Sequence, residues 1–406
     1  MAKEVTIMKL DHFGRGIYFE DNKINFVFNA LPDEHVIVEN IKENSKYNEA
    51  KVKKYLITSP KRVEPFCPYY GKCGGCHLQH MTYEDTLDFK KQKVAEIFQK
   101  FNLPNFNIEI ISNPNIYNYR NKIEIKVRDK KVGFYELNSH KIVEINGCKV
   151  AKSPLNELIL SISKLGLNNA DITLRTNLND EILIWIKTKE NIVVTRESFD
   201  KNIKIASIIL NDKVIFGEKH LIFNFDKYLF KCSYDAFFQI NFDVCLKIYE
   251  YLKSQVKEND IVADLYCGVG FLGILASDRS EKTYGIEIVD NAISDAITNS
   301  KINKIDNMYF MLGDVAQSFQ KIKEQISFLI VDPPRKGLDK ETLDTIIQNK
   351  IPKIFYMSCD PITLARDLAN LKNYYEIKEV KIFDMFSWTY HCESVVILER
   401  KNSKEN

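Results

Sequence analysis

IVADLYCGVGFLG, at residues 261–273, decides the fold, because an apolar strand leads through a glycine-rich turn into a helix. Gly268, Gly270 and Gly273 match the nucleotide-binding pattern G-x-G-x-x-G, and Glu287 follows at the end of the next apolar segment. Glycines let the backbone approach a ligand, and such an acid can accept hydrogen bonds from ribose hydroxyls. This stretch alone fits an NAD site, an S-adenosylmethionine site or a tight strand-to-helix turn.

Apolar strands alternate with helical segments around this turn. The predicted strands are IVADL (261–265), KTYGIEI (282–288), MYFML (308–312), FLIVD (328–332) and KIFYMS (353–358). Such alternation predicts an α/β fold, a parallel sheet with helices on both faces. A predicted helix at 235–256 precedes the sheet, and residues 380–386 and 393–400 predict a closing pair of strands.

The chain of 406 residues is long enough for several domains. Short alternating strands with glycine and proline turns predict a small β-barrel at residues 1–62. Residues 63–235 predict a central mixed domain, with helices at 83–101 and 154–165. Residues 236–406 form the predicted α/β domain.

The composition limits where in the cell the protein is expected and what it is expected to bind. No apolar stretch is as long as a membrane span, and the N-terminus lacks a signal peptide, so we expect a cytoplasmic protein without a membrane partner. The net charge is only +2, so binding to a nucleic acid would depend on local basic stretches. Residues 51–62 and 120–131 are two such stretches, and a solvated charged face explains either of them equally well.

Two further strand ends carry reactive groups. Asp332 and two prolines end one apolar strand, and Cys359 ends another, directly before a predicted helix. Asp360 is a good cap for that helix, and Pro361 suits its first turn. A thiol at a helix N-terminus meets the positive end of the helix dipole, which is expected to lower its pKa from about 8.5 and supply thiolate. A hydride-transferring dehydrogenase has no need of this thiol.

Six motifs occur in a characteristic order: FFQIN (237–241), DLYCGVG (264–270), GIE (285–287), DPPR (332–335), SCDPxTLARD (358–367) and HxE (391–393). With them the chain resembles the RNA uracil-5 methyltransferases over nearly its whole length, especially the 23S ribosomal RNA branch that has an iron–sulfur cluster. The resemblance implies a Rossmann-like, S-adenosylmethionine-dependent methyltransferase domain at the C-terminus. It also implies methylation of carbon 5 of a uridine in 23S ribosomal RNA.

The resemblance assigns roles to individual residues. Cys359 is the expected nucleophile toward uracil carbon 6, and Glu393 is the expected base that removes the carbon 5 proton. The expected binding residues for S-adenosylmethionine are Gln239, Tyr266, Gly268, Phe271, Glu287, Asp314 and Asp332. The chain departs from the family pattern at Phe271, where Asn or Thr is common, and at Ser387 and Trp388, which replace a usual proline.

Four cysteines predict a metal site. Cys67, Cys73 and Cys76 cluster, and Cys148 follows far downstream. Soft thiolates select zinc or an iron–sulfur cluster, and the spacing alone does not separate the two. The resemblance favours a [4Fe-4S] cluster on these four residues. His77 and His80 are possible further ligands, but we expect both to face solvent.

Residues 1–62 resemble a TRAM domain, a small RNA-binding barrel, through GRG (14–16), NALPDE (29–34) and SPKRVEPFC (59–67). Candidate base-stacking side chains are Phe13, Tyr18, Phe26 and Phe28, and half of them are expected in the core. RNA is therefore the expected partner, ribosomal RNA first and transfer RNA second, with the protein a monomer. The alternatives are the same reaction on transfer RNA, a non-catalytic iron–sulfur protein that binds RNA or senses redox state, and an NAD-dependent oxidoreductase.

Overall fold

The computed structural model describes residues 2–20 and 22–401. The predicted first and last domains also include Met1, Asp21 and residues 402–406, which lie outside the described residues. The N-terminal sheet is built from β1 (Ala2–Thr6), β2 (Lys9–Leu10), β3 (Gly16–Glu20), β4 (Lys23–Phe28), β5 (His35–Glu43) and β6 (Tyr47–Ile57). Its strand order is β1-β5-β6-β4-β3-β2, antiparallel except between β4 and β6. Ile7, Val27 and Val36 are fully buried in its core, as the alternating pattern predicts.

A helix and a short strand follow the cysteine-rich segment. They are α1 (Tyr83–Lys100) and β7 (Ile108–Ile111). Thr82 caps α1 by accepting a hydrogen bond from the Asp85 amide at 3.2 Å, which satisfies one free donor of the first turn. Val94, Ile97 and Phe98 are buried on one face of α1, so the helix predicted from residues 83–101 is confirmed.

The central sheet has the order β10-β9-β8-β11-β12-β13-β14. Its strands are β8 (Lys122–Arg128), β9 (Lys131–Tyr135), β10 (Ile142–Glu144), β11 (Asn169–Thr176), β12 (Ile182–Lys187), β13 (Ile205–Leu210) and β14 (Lys213–Gly217). Helix α2 (Ser153–Ser163) covers one face with Leu155, Leu158 and Ile162. A hairpin of β15 (His220–Phe225) and β16 (Tyr228–Ser233) leads to the C-terminal part.

The C-terminal part alternates helices and strands, as predicted. Its elements are α3 (Phe242–Gln255), β17 (Ile261–Leu265), α4 (Phe271–Ser277), β18 (Lys282–Glu287), α5 (Asp290–Ile302), β19 (Met308–Leu312), α6 (Val315–Phe319), β20 (Phe328–Val331), α7 (Lys340–Gln348), β21 (Lys353–Ser358), α8 (Pro361–Leu371), β22 (Tyr375–Phe383) and β23 (Glu393–Arg400). The sheet order is β19-β18-β17-β20-β21-β23-β22-β7. Strands β17 to β21 are parallel, and β22 and β23, the predicted closing pair, are antiparallel.

Two elements of the predicted central domain pack on this C-terminal sheet. Strand β7 pairs in parallel with β22, where Ile111 lies opposite Phe383. Helix α1 packs against α8, and Phe98 joins the core beneath the sheet. The helix predicted from residue 235 begins only at Phe242, because Asn241 caps it by accepting from the Val244 amide at 3.3 Å.

Apolar residues bury the middle of the sheet on both faces. All four residues of β20 are buried, as parallel strands covered by helices on two sides require. Among the described residues no helix is both long and apolar enough to cross a membrane. The loops after β17, β18, β20 and β21 meet at one edge of the sheet, where open α/β sheets bind ligands.

Candidate active site

The glycine-rich turn after β17 is held by two carboxylates. Tyr266, Gly268 and Gly270 all have positive φ angles, of 64°, 54° and 80°. The Gly268 amide donates to Glu287 Oε2 at 2.9 Å, and the Gly273 amide donates to Asp264 Oδ2 at 2.7 Å. These bonds fix the conformation of the turn.

Beside this turn lies a narrow cleft that brings together most of the residues predicted to bind the cofactor. Those that line it are Gln239, Tyr266, Gly268, Phe271 and Asp332. Glu287 joins them through its bond to Gly268, and its other oxygen accepts from the Ile288 and Val289 amides at 2.8 and 2.9 Å. Gln239 is 8% exposed and precedes α3, so it is a buried cleft residue rather than a helix-surface amide.

Two features of the cleft fit a bound nucleoside. Asp264 Oδ1 is buried without a hydrogen-bond partner among the described residues. A methyl group added at Gly268 would meet no atom within 4 Å, so open space adjoins this glycine. An unsatisfied acceptor and free volume beside a glycine turn are what a polar ligand would fill.

Asp314 and Phe271, two of the residues predicted to bind the cofactor, make contacts elsewhere in the protein. Asp314 caps α6 by accepting from the Gln317 amide at 3.1 Å and does not line the cleft, so its contact with adenine stays a prediction. Phe271, at the first departure from the family pattern, packs its ring against Phe225, Phe230 and Phe238 with centroids 5.0–5.4 Å apart. An aromatic core contact replaces the polar side chain that is common there.

The predicted nucleophile directly follows β21, and the predicted base is the first residue of the neighbouring strand β23. Ser358 of β21 lies opposite Ser394 of β23, so Cys359 and Glu393 occupy the next pair of facing positions. Asp332 follows β20, the parallel neighbour of β21. Asp360 accepts from the Ile362 and Thr363 amides, and Pro361 opens α8, as predicted.

The thiol of Cys359 is less acidic than its position before a helix suggests. Burial, followed by the nearby carboxylates of Glu393 and Asp332, raises its pKa to about 11, against a partial lowering by Arg335. The predicted lowering by the helix dipole is therefore wrong for this structure. Two acids and partial desolvation outweigh the end of one helix, because both disfavour a second negative charge.

The two carboxyl groups near Cys359 also favour their neutral forms. Burial raises the pKa of Asp332 to about 7. Burial and the proximity of Asp332 raise the pKa of Glu393 well above its usual range, while Arg335 acts in the opposite direction. Glu393 Oε1 has no hydrogen-bond partner among the described residues, so it can bond to a ligand. A carboxylate whose pKa is raised toward neutrality is suited to general base catalysis.

A buried ion pair supports the segment that leads into Glu393. Lys90 of α1 and Asp384 have fully buried side chains, and Lys90 Nζ donates to Asp384 and to the Phe386 carbonyl oxygen. Asp384 also accepts from Tyr83 at 2.7 Å and from Ser387 at 2.6 Å. Burial alone would raise the pKa of Asp384, but Lys90 and these hydrogen bonds outweigh it and lower the pKa.

Trp388, at the second departure from the family pattern, ties this segment to the cysteine-rich loop. Its carbonyl oxygen accepts from the His77 and Leu78 amides at 2.9 and 3.1 Å. Its ring lies 5.1 Å from that of Phe66 and donates to the Ile116 carbonyl oxygen at 2.9 Å. The segment around the predicted base is thus anchored by the backbone carbonyl and the ring of Trp388, where a proline is usual.

Cys67, Cys73, Cys76 and Cys148 line a single cavity of about 930 Å³, called the large cavity below. All four are free thiols. The same cavity is lined by Arg335, Tyr390 and His391, so it extends from the cysteines toward the residues around Cys359. Among the described residues, no three His, Cys, Asp or Glu side chains are arranged to hold a metal ion.

The two histidines beside these cysteines do not both face solvent as expected. His80 is 1% exposed and shares a hydrogen bond with the Tyr70 hydroxyl, so the expectation is wrong for His80. Burial lowers the pKa of His80 to about 3 and that of His77 to about 4. Both rings are therefore neutral at physiological pH.

The predicted RNA-binding features are only partly exposed. Phe13 is 50% exposed, whereas Tyr18 is 4% exposed and belongs to the core of the N-terminal sheet. Several cations of the two basic stretches are in ion pairs: Lys51 with Glu39, Lys61 with Asp85, Arg62 with Glu34, Lys122 with Glu124, and Lys126 and Arg128 with Asp171. These pairs reduce the free positive charge that the sequence suggests.

Three residues near the site were not singled out from the sequence. Arg335 ends the DPPR motif, and that motif was the available signal for its contact with the Cys359 thiol. Tyr390 precedes the HxE motif and lines the large cavity. Lys90 gave no local signal, because its partner Asp384 is 294 residues away.

Comparison with known proteins places the chain among RNA methyltransferases. Residues 82–401 match the family model described as tRNA (Uracil-5-)-methyltransferase. A protein from Aquifex aeolicus with the name "Uncharacterized RNA methyltransferase" is 34% identical over 434 residues, which cover 98% of this chain and 99% of that protein. A similarly named protein from Caldanaerobacter subterraneus subsp. tengcongensis is also 34% identical, with 98% of each chain covered.

A solved structure covers almost the whole chain. It is that of Pyrococcus abyssi tRNA (uracil-54, C5)-methyltransferase in complex with S-adenosyl-L-homocysteine. The TM-score is 0.80 at 26% sequence identity, covering 98% of this chain and 100% of that one. The similarity therefore includes the N-terminal and central sheets as well as the C-terminal sheet.

Proposed function

The chain belongs to the tRNA (uracil-5-)-methyltransferase family, and from this membership we propose that it methylates carbon 5 of a uridine in 23S ribosomal RNA. S-adenosylmethionine is the methyl donor, Cys359 the nucleophile and Glu393 the base. The observation that carries the proposal is the pair of facing strand ends that bear Cys359 and Glu393. Membership disfavours hydride transfer and a non-catalytic role, the two alternatives of other classes.

Cys359 starts the proposed reaction. Uracil carbon 5 is a weak nucleophile until a thiolate adds to carbon 6 and makes the ring an enolate. Because the pKa of Cys359 is raised to about 11, its proton must pass to solvent as the uridine binds, and Arg335 beside the thiol favours the ionised form. Carbon 5 then forms a bond to the sulfonium methyl group as the carbon–sulfur bond of the donor breaks.

Glu393 completes the reaction. The methylated adduct still carries a proton on carbon 5, and Glu393 Oε1 is free to accept it. The electron pair of that carbon–hydrogen bond then forms the 5,6 double bond, and Cys359 leaves as thiolate. Burial and the proximity of Asp332 raise the pKa of Glu393, which increases the proton affinity of its carboxylate as a base.

The cleft beside the glycine-rich turn supports binding of S-adenosylmethionine, which supplies an electrophilic methyl group when bound. Gln239, Tyr266, Gly268, Phe271 and Asp332 would surround it. Glu287 is positioned by three backbone amides and retains acceptor capacity for ribose hydroxyls. Asp314 would complete the adenine end.

The four cysteines of the large cavity would hold a [4Fe-4S] cluster. Four soft thiolates are the donor set that such a cluster requires. When bound, the cluster would link Cys67, Cys73 and Cys76 to Cys148 and stabilise the wall of the large cavity. Protein prepared without oxygen should contain about four irons per chain, and stoichiometric zinc instead would refute the cluster.

The N-terminal sheet would act as a TRAM-type RNA-binding module. Phe13 is exposed enough to stack on a base, and Arg15 lies next to it. Transfer RNA is the second candidate substrate, favoured by the similarity to the Pyrococcus abyssi enzyme. Mapping 5-methyluridine by mass spectrometry in ribosomal and transfer RNA from a deletion strain separates the two. Loss from transfer RNA alone would overturn the ribosomal assignment.

Covalent capture tests the nucleophile. With S-adenosylmethionine and RNA that contains 5-fluorouridine, the protein should form an adduct that survives denaturation, because fluorine cannot leave as a proton. Cys359→Ser should abolish this adduct, whereas Cys392→Ser, at a buried cysteine near the site, should retain it. An adduct in the Cys359→Ser variant would remove Cys359 from the mechanism.

Substitution of the base separates methyl transfer from proton removal. Glu393→Gln should still add Cys359 to uracil and still transfer the methyl group, but elimination should slow by about 10²–10⁴-fold. Label from the methyl donor should then travel with the protein on a denaturing gel. If adduct and product are lost together, Glu393 has only a structural role.

A further inference from the structure

A second cavity, of about 510 Å³, lies between the N-terminal sheet and the cysteine-rich loop. Phe13, Arg15, Phe28, Lys42 and Tyr390 are among its walls. We infer that this second cavity binds an unstacked nucleobase of the substrate RNA, close in sequence to the target uridine, with Phe13 as its stacking surface and Tyr390 in its wall. This inference rests on the proposed function.

Tyr390 connects the second cavity to the reaction. It lines both the second cavity and the large cavity, whose walls include Arg335 and His391. Its ring is packed between those of His77 and His391, with both centroids at 4.4 Å. When the target base lies beside Arg335, the RNA strand that carries it would pass Tyr390 on its way to the N-terminal sheet. The next accessible cavity for a base is then the second one.

The loop that carries Phe13 is rigid although the ring is half exposed. Asp11 Oδ1 accepts from the amides of Phe13 and Arg15 at 2.9 and 2.8 Å. Gly14 has a φ angle of 78° and packs closely against Leu78, where a larger residue would clash. The Phe13 ring meets Tyr390 edge-on, with centroids 5.2 Å apart. A fixed, half-exposed aromatic ring is the element that stacks on unpaired bases.

The polar groups of the second cavity suit a nucleotide. The Arg15 guanidinium lies 4.1 Å from the centroid of the Phe26 ring and is paired with Asp11 and Glu49, so it is held flat beside the cavity. Lys42 is exposed at the wall and can meet a phosphate. Asn29 and Asn138 also line the cavity, and their side-chain amides can bond to a base edge.

The second cavity adjoins the proposed cluster site but does not contain all four of its cysteines. All four cysteines line the large cavity, but only Cys73 and Cys76 reach the second one. Its volume lies within the usual range for pockets that hold small ligands. Phe13, Phe28 and Tyr390 come from the N-terminal part of the chain and from the segment before Glu393, whereas the cysteine-rich loop contributes the His77 ring.

Abasic scanning with a matched pair of variants tests the inference. Phe13→Ala removes the proposed stacking surface, and Phe19→Ala removes a ring of similar exposure, 56%, that does not line the second cavity. The probes are RNAs with the mapped target, each with one abasic nucleotide at a position flanking the uridine. In the wild type, one flanking position should lose about 5- to 150-fold in affinity, the usual effect of one aromatic–base stack.

The test is whether the loss of affinity caused by an abasic nucleotide depends on the side chain at residue 13. In Phe13→Ala the abasic penalty at that position should disappear, whereas Phe19→Ala and the conservative Phe13→Trp should retain it. If every flanking penalty is unchanged in Phe13→Ala, no base occupies the second cavity. Adduct formation with 5-fluorouridine RNA is measured in parallel. An intact adduct with no coupling refutes this inference alone, whereas no adduct with any RNA refutes the proposed function.

Discussion

Removing one member of the Lys90–Asp384 pair should destabilise the protein strongly. Lys90→Met keeps most of the side-chain volume but leaves the Asp384 carboxylate, among the residues that the structure describes, with hydrogen bonds from Tyr83 and Ser387 alone. Both members of the pair are fully buried, so water cannot replace the lost ammonium group. Breaking a buried pair in this way typically costs about 3–5 kcal/mol.

The two remaining hydrogen bonds place the expected loss at the lower end, about 3 kcal/mol. A loss of 1 kcal/mol shifts the melting temperature by about 2–4 °C in a domain of ordinary size, so we expect a decrease of roughly 6–12 °C. Thermal denaturation followed by circular dichroism measures it. Lys91→Met, at the next and exposed position of α1, is the matched control and should change stability by less than about 0.5 kcal/mol.

The double variant Lys90→Met/Asp384→Asn separates charge from packing. An amide at position 384 needs no counterion and can still accept from Tyr83 and Ser387. We therefore expect the double variant to melt above Lys90→Met, because it leaves no buried charge. The reasoning is refuted if Lys90→Met melts with the Lys91→Met control, or if the double variant melts at or below the single one.

Three further outcomes follow from the site. Burial and then the neighbouring carboxylates raise the pKa of Cys359 to about 11, so the rate of its alkylation by iodoacetamide should rise steadily between about pH 7 and pH 10. Mass spectrometry of the Cys359 peptide measures this rate, and a rate that does not change with pH would contradict the prediction. Gly273→Val should weaken S-adenosylhomocysteine binding in calorimetry at least about tenfold, since a Cβ at this position would lie 2.9 Å from Asp264 Oδ2; an unchanged Kd would show that the turn adapts. Burial raises the pKa of Asp332 in the folded protein to about 7, above its ordinary value of 3.8. The folded state therefore holds a proton that the unfolded state has already lost, and the stability that this proton contributes disappears as the pH rises through 7. Urea midpoints of the wild type should therefore fall between about pH 4 and pH 8, and Asp332→Asn should reduce that fall, whereas an identical pH dependence would exclude the assignment.

Local patterns in the sequence were sufficient for the elements of the C-terminal sheet. The apolar runs at 261–265, 308–312 and 353–358 match β17, β19 and β21 residue for residue. The caps at Asn241 and Asp360 are also local, because the side chain and its partner amides lie within a few residues. A cap that overrides apolar spacing explains why α3 starts later than predicted.

Long-range contacts could not be read in the same way. The place of β7 depends on its pairing with β22, and that of Lys90 on an acid 294 residues away. The pKa of Cys359 depends on three side chains from other strand ends, so the helix that follows it was an insufficient guide. Motif order predicted the residues of the candidate site, whereas their pKa values depend on the fold.

The pairing of β7 with β22 bears on how the protein is synthesised and how it can be divided. On the ribosome, β7 emerges long before the strand that it joins, so its apolar residues must wait unpaired while the central sheet is made. A fragment cut at residue 236 would have the complete glycine-rich turn but a bare β22 edge. Such an edge is a template for pairing between molecules. A soluble catalytic fragment would therefore need residues 83–111 supplied as a second chain or grafted by circular permutation.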